Sequence, residues 1–131
     1  TYGDGLGNVN VGDLLEYHTQ HGKLATVTAV RPPARFGVLE SVNGKVMRFG
    51  EKNHTDAGWI NGGFFILEPT VQDFIEDDLE PFENTPMSRL VGAGELMAFH
   101  HHGFWQPMDT LREKNDLELL ASSSSPPWLN F

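Results

Sequence analysis

The chain alternates between two hydrophobic periods. Residues 11–22, VGDLLEYHTQHG, place Val11, Leu14, Leu15 and His18 near helical spacing, with Gly22 as a stop signal. Residues 23–30, KLATVTAV, are short, apolar and β-branched, which predicts a buried strand. RPPARFG (31–37) must be a loop, because Pro32 and Pro33 have no N–H to give a sheet. FGVLES and KVMRFG predict a hairpin about Val42-Asn43-Gly44, with Asn-Gly as the turn signal. Polar EKNHTDAGW (51–59) reads as a loop. INGGFFILEP (60–69) reads as a strand whose paired glycines imply close backbone approach.

The second half continues the alternation. TVQDFIEDDL predicts a short helix started by Thr70, and PMSRLVGAG (86–94) another with Pro86 in its first turn. ELMAFHHHGFW reads as one strand and MDTLREKNDLELLAS (108–122) as the last helix. A polar SSSSPP tail follows, with Trp128 placed to pin it back. At the other end, Thr1 and Tyr2 of TYGDG read as a strand end, and Gly3-Asp4-Gly5 as a loop. No internal repeat and no second composition block interrupts the pattern, so it predicts an α/β layer structure.

Composition narrows the function. The 131 residues fit one domain. The net charge is −9, and no Lys/Arg cluster offers a duplex-binding face, so nucleic acid is not an expected partner. An anionic ligand would have to be met by a few placed cations or a metal. No apolar run approaches the ~20 residues of a membrane helix. TYGDGLGN has neither the basic start nor the apolar core of a signal peptide. Absence of cysteine removes disulfides and thiolate metal sites and is compatible with a cytoplasmic protein. Because the chain starts on a strand-end motif without Met, a preceding segment is expected.

Few residues stand out as chemical groups. Asp4 lies between glycines at a strand end, where α/β sheets collect ligands; it reads as an Asp-Gly turn or a Mg²⁺ carboxylate. Asp109 reads as a helix N-cap, which is compatible with metal ligation only if separate oxygens do each job. Glu51-Lys52 is a solvated pair or a sugar–phosphate contact. Asn61-Gly62-Gly63 is a bulge or a hydroxyl-binding edge. Arg35 reads as a brace of its own loop. In the run His100-His101-His102, alternation lets only His100 and His102 share a face, too few ligands for zinc without help.

Taken together, TYGDG, KLATVTAV with PPARFG, EK, WINGGFFILEP, GELMAF and GFWQPMDTLREK occur in the order found in the glucose-1-phosphate cytidylyltransferases. WINGGFF followed by FWQPMDT is the most specific part, and the resemblance runs from residue 1 to Trp128. It implies a mixed-sheet, Rossmann-like α/β nucleotidyltransferase fold, of which residues 1–131 resemble the C-terminal half. The Gly-rich N-terminal half of the LAGGxGTR type is absent from this sequence. The implied reaction joins CTP and α-D-glucose 1-phosphate into CDP-glucose and pyrophosphate, for dideoxysugars of bacterial O-antigen lipopolysaccharide. Asp4 and Asp109 match the Mg²⁺ carboxylates. Tyr2 and Gly3 match nucleotide-side backbone; Gly37, Glu51 and Asn61 match glucose contacts; Lys52 matches the lysine at the sugar phosphate. Asp4, Asp109 and Lys52 form the implied catalytic group, and the family implies a homo-oligomer, often a hexamer. Asn53 stands where the family usually has Pro, which leaves Lys52 less preorganised. Three alternatives stay open: a non-catalytic fragment, a sugar-phosphate-binding module, and a relative using dTTP or UTP.

Overall fold

Helix α1 (Val11–His21) forms where the periodicity predicts it. The Asn10 side chain accepts hydrogen bonds from the Gly12 and Asp13 N–H groups, and Gly22 closes the far end at φ 63°. Leu14 and His18 are the residues of α1 that are buried; Val11 and Leu15 stay exposed. The computed structural model describes residues 1–32, 37–43, 45–51 and 58–129.

A three-stranded sheet organises these residues, in the order β5 (Ile60–Leu67), β2 (Ala25–Val30), β6 (Leu96–His100). β2 runs antiparallel to β5 and parallel to β6, so the sheet is mixed, as the fold expectation required. The middle position explains the near-continuous apolar run of β2: Ala25, Ala29 and Val30 are buried, and so are Thr26 and Thr28. Ala25 packs with Val71 and Leu90, flanked by Leu24, Phe74, Phe82 and Leu96. The hairpin expectation holds: β3 (Gly37–Val42) and β4 (Lys45–Glu51) form a separate antiparallel pair. Asn43 turns between them at φ 50°.

The structure corrects several expectations. ELMAFHHHGFW is two strands, because its end leaves the central sheet. β6 stops at His100, His101 donates its N–H to the Ala29 carbonyl, and its ring Nε2 meets the Phe104 carbonyl at 3.1 Å. The chain then turns into β7 (Trp105–Pro107), which pairs antiparallel with β1 (Gly5–Gly7). Gly5 therefore belongs to a strand, and the turn before it is Gly3-Asp4, with no strand at Thr1 and Tyr2. The helix expected from Thr70 is a 3₁₀ segment, Pro69–Phe74, with no side-chain cap. Pro69 has no N–H to satisfy, and the Val71 N–H returns to the Glu68 carbonyl.

Helix α2 (Thr85–Gly92) buries Pro86 and Leu90. Its Arg89 donates to the Phe74 carbonyl and to the Glu80 and Glu76 carboxylates, tying the 3₁₀ segment to α2. The Thr85 hydroxyl holds the Glu80 carboxyl below the usual carboxylate range against opposing desolvation, and Arg89 adds to the effect. Helix α3 (Leu111–Ala121) is capped by Thr110, not Asp109. Thr110 accepts from the Glu113 N–H, and the Glu113 carboxylate accepts from the N–H groups of Thr110 and Asp109. A second 3₁₀ segment, Pro127–Leu129, brings Trp128 within 5.9 Å of Phe104, so the tail is pinned.

The end of α1 is fastened to the sheet by polar groups. The Lys23 backbone N–H donates to His21 Nδ1 at 2.9 Å, which fixes the proton of a neutral His21 on Nε2. Nε2 lies 2.7 Å from the buried Thr26 Oγ1, which accepts from it. Thr26 has one hydroxyl proton left to give, and His18 Nδ1 lies 2.7 Å away to take it. His18 Nε2 then donates to Glu68 at 3.2 Å. Every proton in the chain has one direction. Desolvation, then the nearby His18 and Lys23, push the His21 pKa below its usual value.

Candidate functional site

The candidate carboxylates lie beside the pairing of β1 with β7. The β1–β7 register sets Gly5 opposite Pro107, and the Met108 N–H donates to the Asp4 carbonyl at 2.7 Å. Asp4 and Asp109 are thereby brought to neighbouring positions at one end of this ladder, both exposed. Thr110, and not Asp109, carries the side-chain cap of α3. Among the described residues no three His, Asp or Glu side chains gather as a metal cage. The pair still suits Mg²⁺, which is held by one or two carboxylates, substrate phosphates and water, not by an all-protein cage.

Beside Asp4 lies an open pocket of about 470 Å³, lined by Tyr2, Gly3, Asp4 and Glu83. A side chain added at Gly3 would meet nothing within 4 Å, so backbone is accessible there. Sequence reasoning missed Glu83: it sits in a polar connection with no motif to mark it.

Tyr2 joins this edge to β5. Its hydroxyl accepts from Asn61 Nδ2 at 3.0 Å, while Asn61 Oδ1 accepts from the Gly63 N–H at 2.8 Å. The paired glycines answer the close-approach expectation. A Cβ on Gly62 would lie 2.6 Å from Val30 Cγ1, and one on Gly63 (φ 79°) would overlap the Tyr2 ring. Trp105 Nε1 donates to the Gly62 carbonyl at 2.9 Å, which links β7 to the same spot. Asn61 is thus a built position and exposed.

Gly37 and Glu51 face each other across the β3–β4 hairpin as a backbone pair. Lys52, Asn53 and Arg35 lie outside the described residues. His100 and His102 do share a face, as alternation predicts: both rings meet Trp59, at 4.4 and 5.1 Å, edge to face. The Arg31 guanidinium stands over the Trp59 ring at 4.6 Å.

The mixed α/β sheet is consistent with the fold expectation, and comparison with known proteins supplies the class. The family model described as "Nucleotidyl transferase" matches residues 2–106, and the chain belongs to that family. Among individual relatives, it is 49% identical over 128 residues to the "Glucose-1-phosphate cytidylyltransferase" of Salmonella typhi, covering 98% of this chain and 50% of that protein. It is 39% identical to the "Probable glucose-1-phosphate cytidylyltransferase" of Bacillus subtilis, with the same coverages. The "Mannose-1-phosphate guanyltransferase beta-A" of Xenopus laevis is more distant, at 32% identity over 90% of this chain and 35% of that one. The chain spans about half the length of the cytidylyltransferase relatives it matches. A solved "Putative Glucose-1-Phosphate Thymidylyltransferase" from Bacillus anthracis, in complex with a sucrose, superposes with a TM-score of 0.63 over 94% of this chain and 53% of that one. At 20% identity this likeness speaks for the fold. Among the described residues no helix is long and apolar enough to cross a membrane.

Proposed function

We propose that this chain is the C-terminal half of a nucleotidyltransferase domain that transfers a cytidylyl group from CTP to α-D-glucose 1-phosphate, releasing pyrophosphate. The observation that carries the reading is the β1–β7 pairing, which draws Asp4 and Asp109 together from opposite ends of the chain. Identity of 49% to a cytidylyltransferase supports cytosine and glucose over other bases and sugars.

The chemistry asks for positioning and charge compensation, not covalent help. The attacking phosphomonoester has its second pKa near ~6 and is largely dianionic at neutral pH, so no general base is needed. Asp4 and Asp109 would hold Mg²⁺, which when bound offsets the repulsion between the two anions. Lys52 holds the attacking phosphate as a point charge. Glu51, Asn61 and the Gly37 backbone fix the glucose ring so that its phosphate points at the nucleotide. The backbone of Tyr2 and Gly3 lines the nucleotide side. The product, a nucleotide sugar, suits O-antigen lipopolysaccharide synthesis in the cytoplasm by a homo-oligomer such as a hexamer.

The test is Asp109→Ala in the intact protein, with pyrophosphate release followed for CTP, dTTP and UTP at saturating glucose 1-phosphate and Mg²⁺. Turnover with CTP should dominate and should collapse in the variant. Near-normal turnover would sink the metal role, and a preference for dTTP or UTP would reassign the base.

A further inference from the structure

We infer that the Tyr2 side chain is a positioning residue for the sugar, acting through Asn61, and not only a piece of nucleotide-side backbone. This rests on Asn61 as a sugar contact. An asparagine amide has two nearly indistinguishable ends, and a sugar edge is read only if the ends are fixed. Here they are fixed by donor–acceptor logic. The Gly63 N–H can only donate, so the end it meets at 2.8 Å is Oδ1. The opposite end is then Nδ2, and the Tyr2 hydroxyl accepts one of its protons at 3.0 Å. That leaves Asn61 one N–H and one oxygen lone pair for a ligand, a donor beside an acceptor, which suits adjacent hydroxyls of a pyranose.

The hydroxyl is itself held in place. The Tyr2 ring lies against Gly63, where any Cβ would overlap it, and meets the edge of Phe65 at 6.0 Å between centroids. Gly63 at φ 79° both gives the ring its space and aims its N–H at Asn61. Tyr2, Asn61 and Gly63 thus form one latch across the chain start and β5. Tyr2 immediately precedes Gly3 and Asp4, so the latch also ties the sugar side to the proposed metal side.

The experiment compares Tyr2→Phe, Asn61→Ala and the double variant in the intact protein. Phe keeps the ring over Gly63 and removes only the hydroxyl. Tyr2→Phe should raise the KM for glucose 1-phosphate about three- to tenfold, the range of one hydrogen bond. The loss should fall on the sugar KM more than on kcat, as for lost ground-state binding. Asn61→Ala should raise the same KM further, and adding Tyr2→Phe to it should change nothing more. If Asn61→Ala raises the sugar KM while Tyr2→Phe does not, or if the two effects add, the latch is overturned and the Asn61 reading stands. If Asn61→Ala leaves the sugar KM unmoved, both fall.

Discussion

The two ends of β2 treat polar side chains in opposite ways. At the amino end, His21, Thr26, His18 and Glu68 use one another, and every donor has an acceptor inside the protein. At the carboxyl end, Asn61 keeps a donor and an acceptor for something else, and Arg31, Trp59, His100 and His102 gather near the surface. The first arrangement holds helix α1 to the sheet; the second includes Asn61, the proposed sugar contact. A polar cluster in this protein is therefore read by its leftover valences, not by its residue types. The same amino acid, histidine, serves structure at one end and surface at the other.

Removing a proposed metal carboxylate should cost activity most. Asp109→Ala should lower kcat/KM for CDP-glucose formation by roughly a hundredfold or more, the scale of one lost metal carboxylate. The loss of activity should far exceed any change in its unfolding midpoint, because Thr110 carries the α3 cap. Breaking the closed end should cost stability instead. Thr26→Val keeps the shape but strands two imidazole nitrogens, for a loss of roughly 2–4 kcal/mol in urea unfolding. Gly63→Ala sits between the two cases: a left-handed residue pushed against the Tyr2 ring should lose about 1–3 kcal/mol and also raise the sugar KM.

Two smaller effects sharpen the contrast. Thr110→Ala removes the capping box and should cost about 1 kcal/mol with no change in sugar KM. The closed end should also feel acid. The His21 pKa is pushed below its ordinary value by desolvation first, then by His18 and Lys23. Protons then favour the unfolded chain, so this stabilisation is complete above about pH 6.5 and declines as pH falls from there toward the folded pKa. His21 is flanked by Lys23, Tyr17 and His18, with Glu68 and Glu95 joined to His18 and Lys23. Urea unfolding at pH 8, 6 and 5 should show a decline that is smaller in His21→Gln. An identical slope in the variant would remove His21 from the account.

Legibility in the sequence followed locality. α1, β2 and the β3–β4 hairpin were readable because periodicity, β-branching and Asn-Gly act within a few residues. The division of ELMAFHHHGFW was not readable, since β7 is pulled away by β1 at the far end of the chain. The cap of α3 is legible in the capping-box spacing of Thr110 and Glu113, which prevails over Asp109 despite Asp being a common capping type. Asp4 and Asp109 each looked ordinary alone, a turn and a cap, and only the resemblance paired them. The Tyr2 hydroxyl had no signal, because its partner lies on β5, 59 positions along the chain.

The β1–β7 ladder has a consequence for the order of folding. It joins residues roughly a hundred positions apart by three register pairs. Closing a loop of that length costs about 4 kcal/mol in chain entropy beyond the constant term, more than so short a ladder returns by itself. The hairpin and the α1–β2 joint are cheap, short-range closures by comparison. The ladder should therefore zip only after β5 and β2 offer Trp105 and Tyr2 a surface to land on. On that view the two aspartates become neighbours in the last step of folding, and contact order, more than local stability, sets when the protein becomes competent.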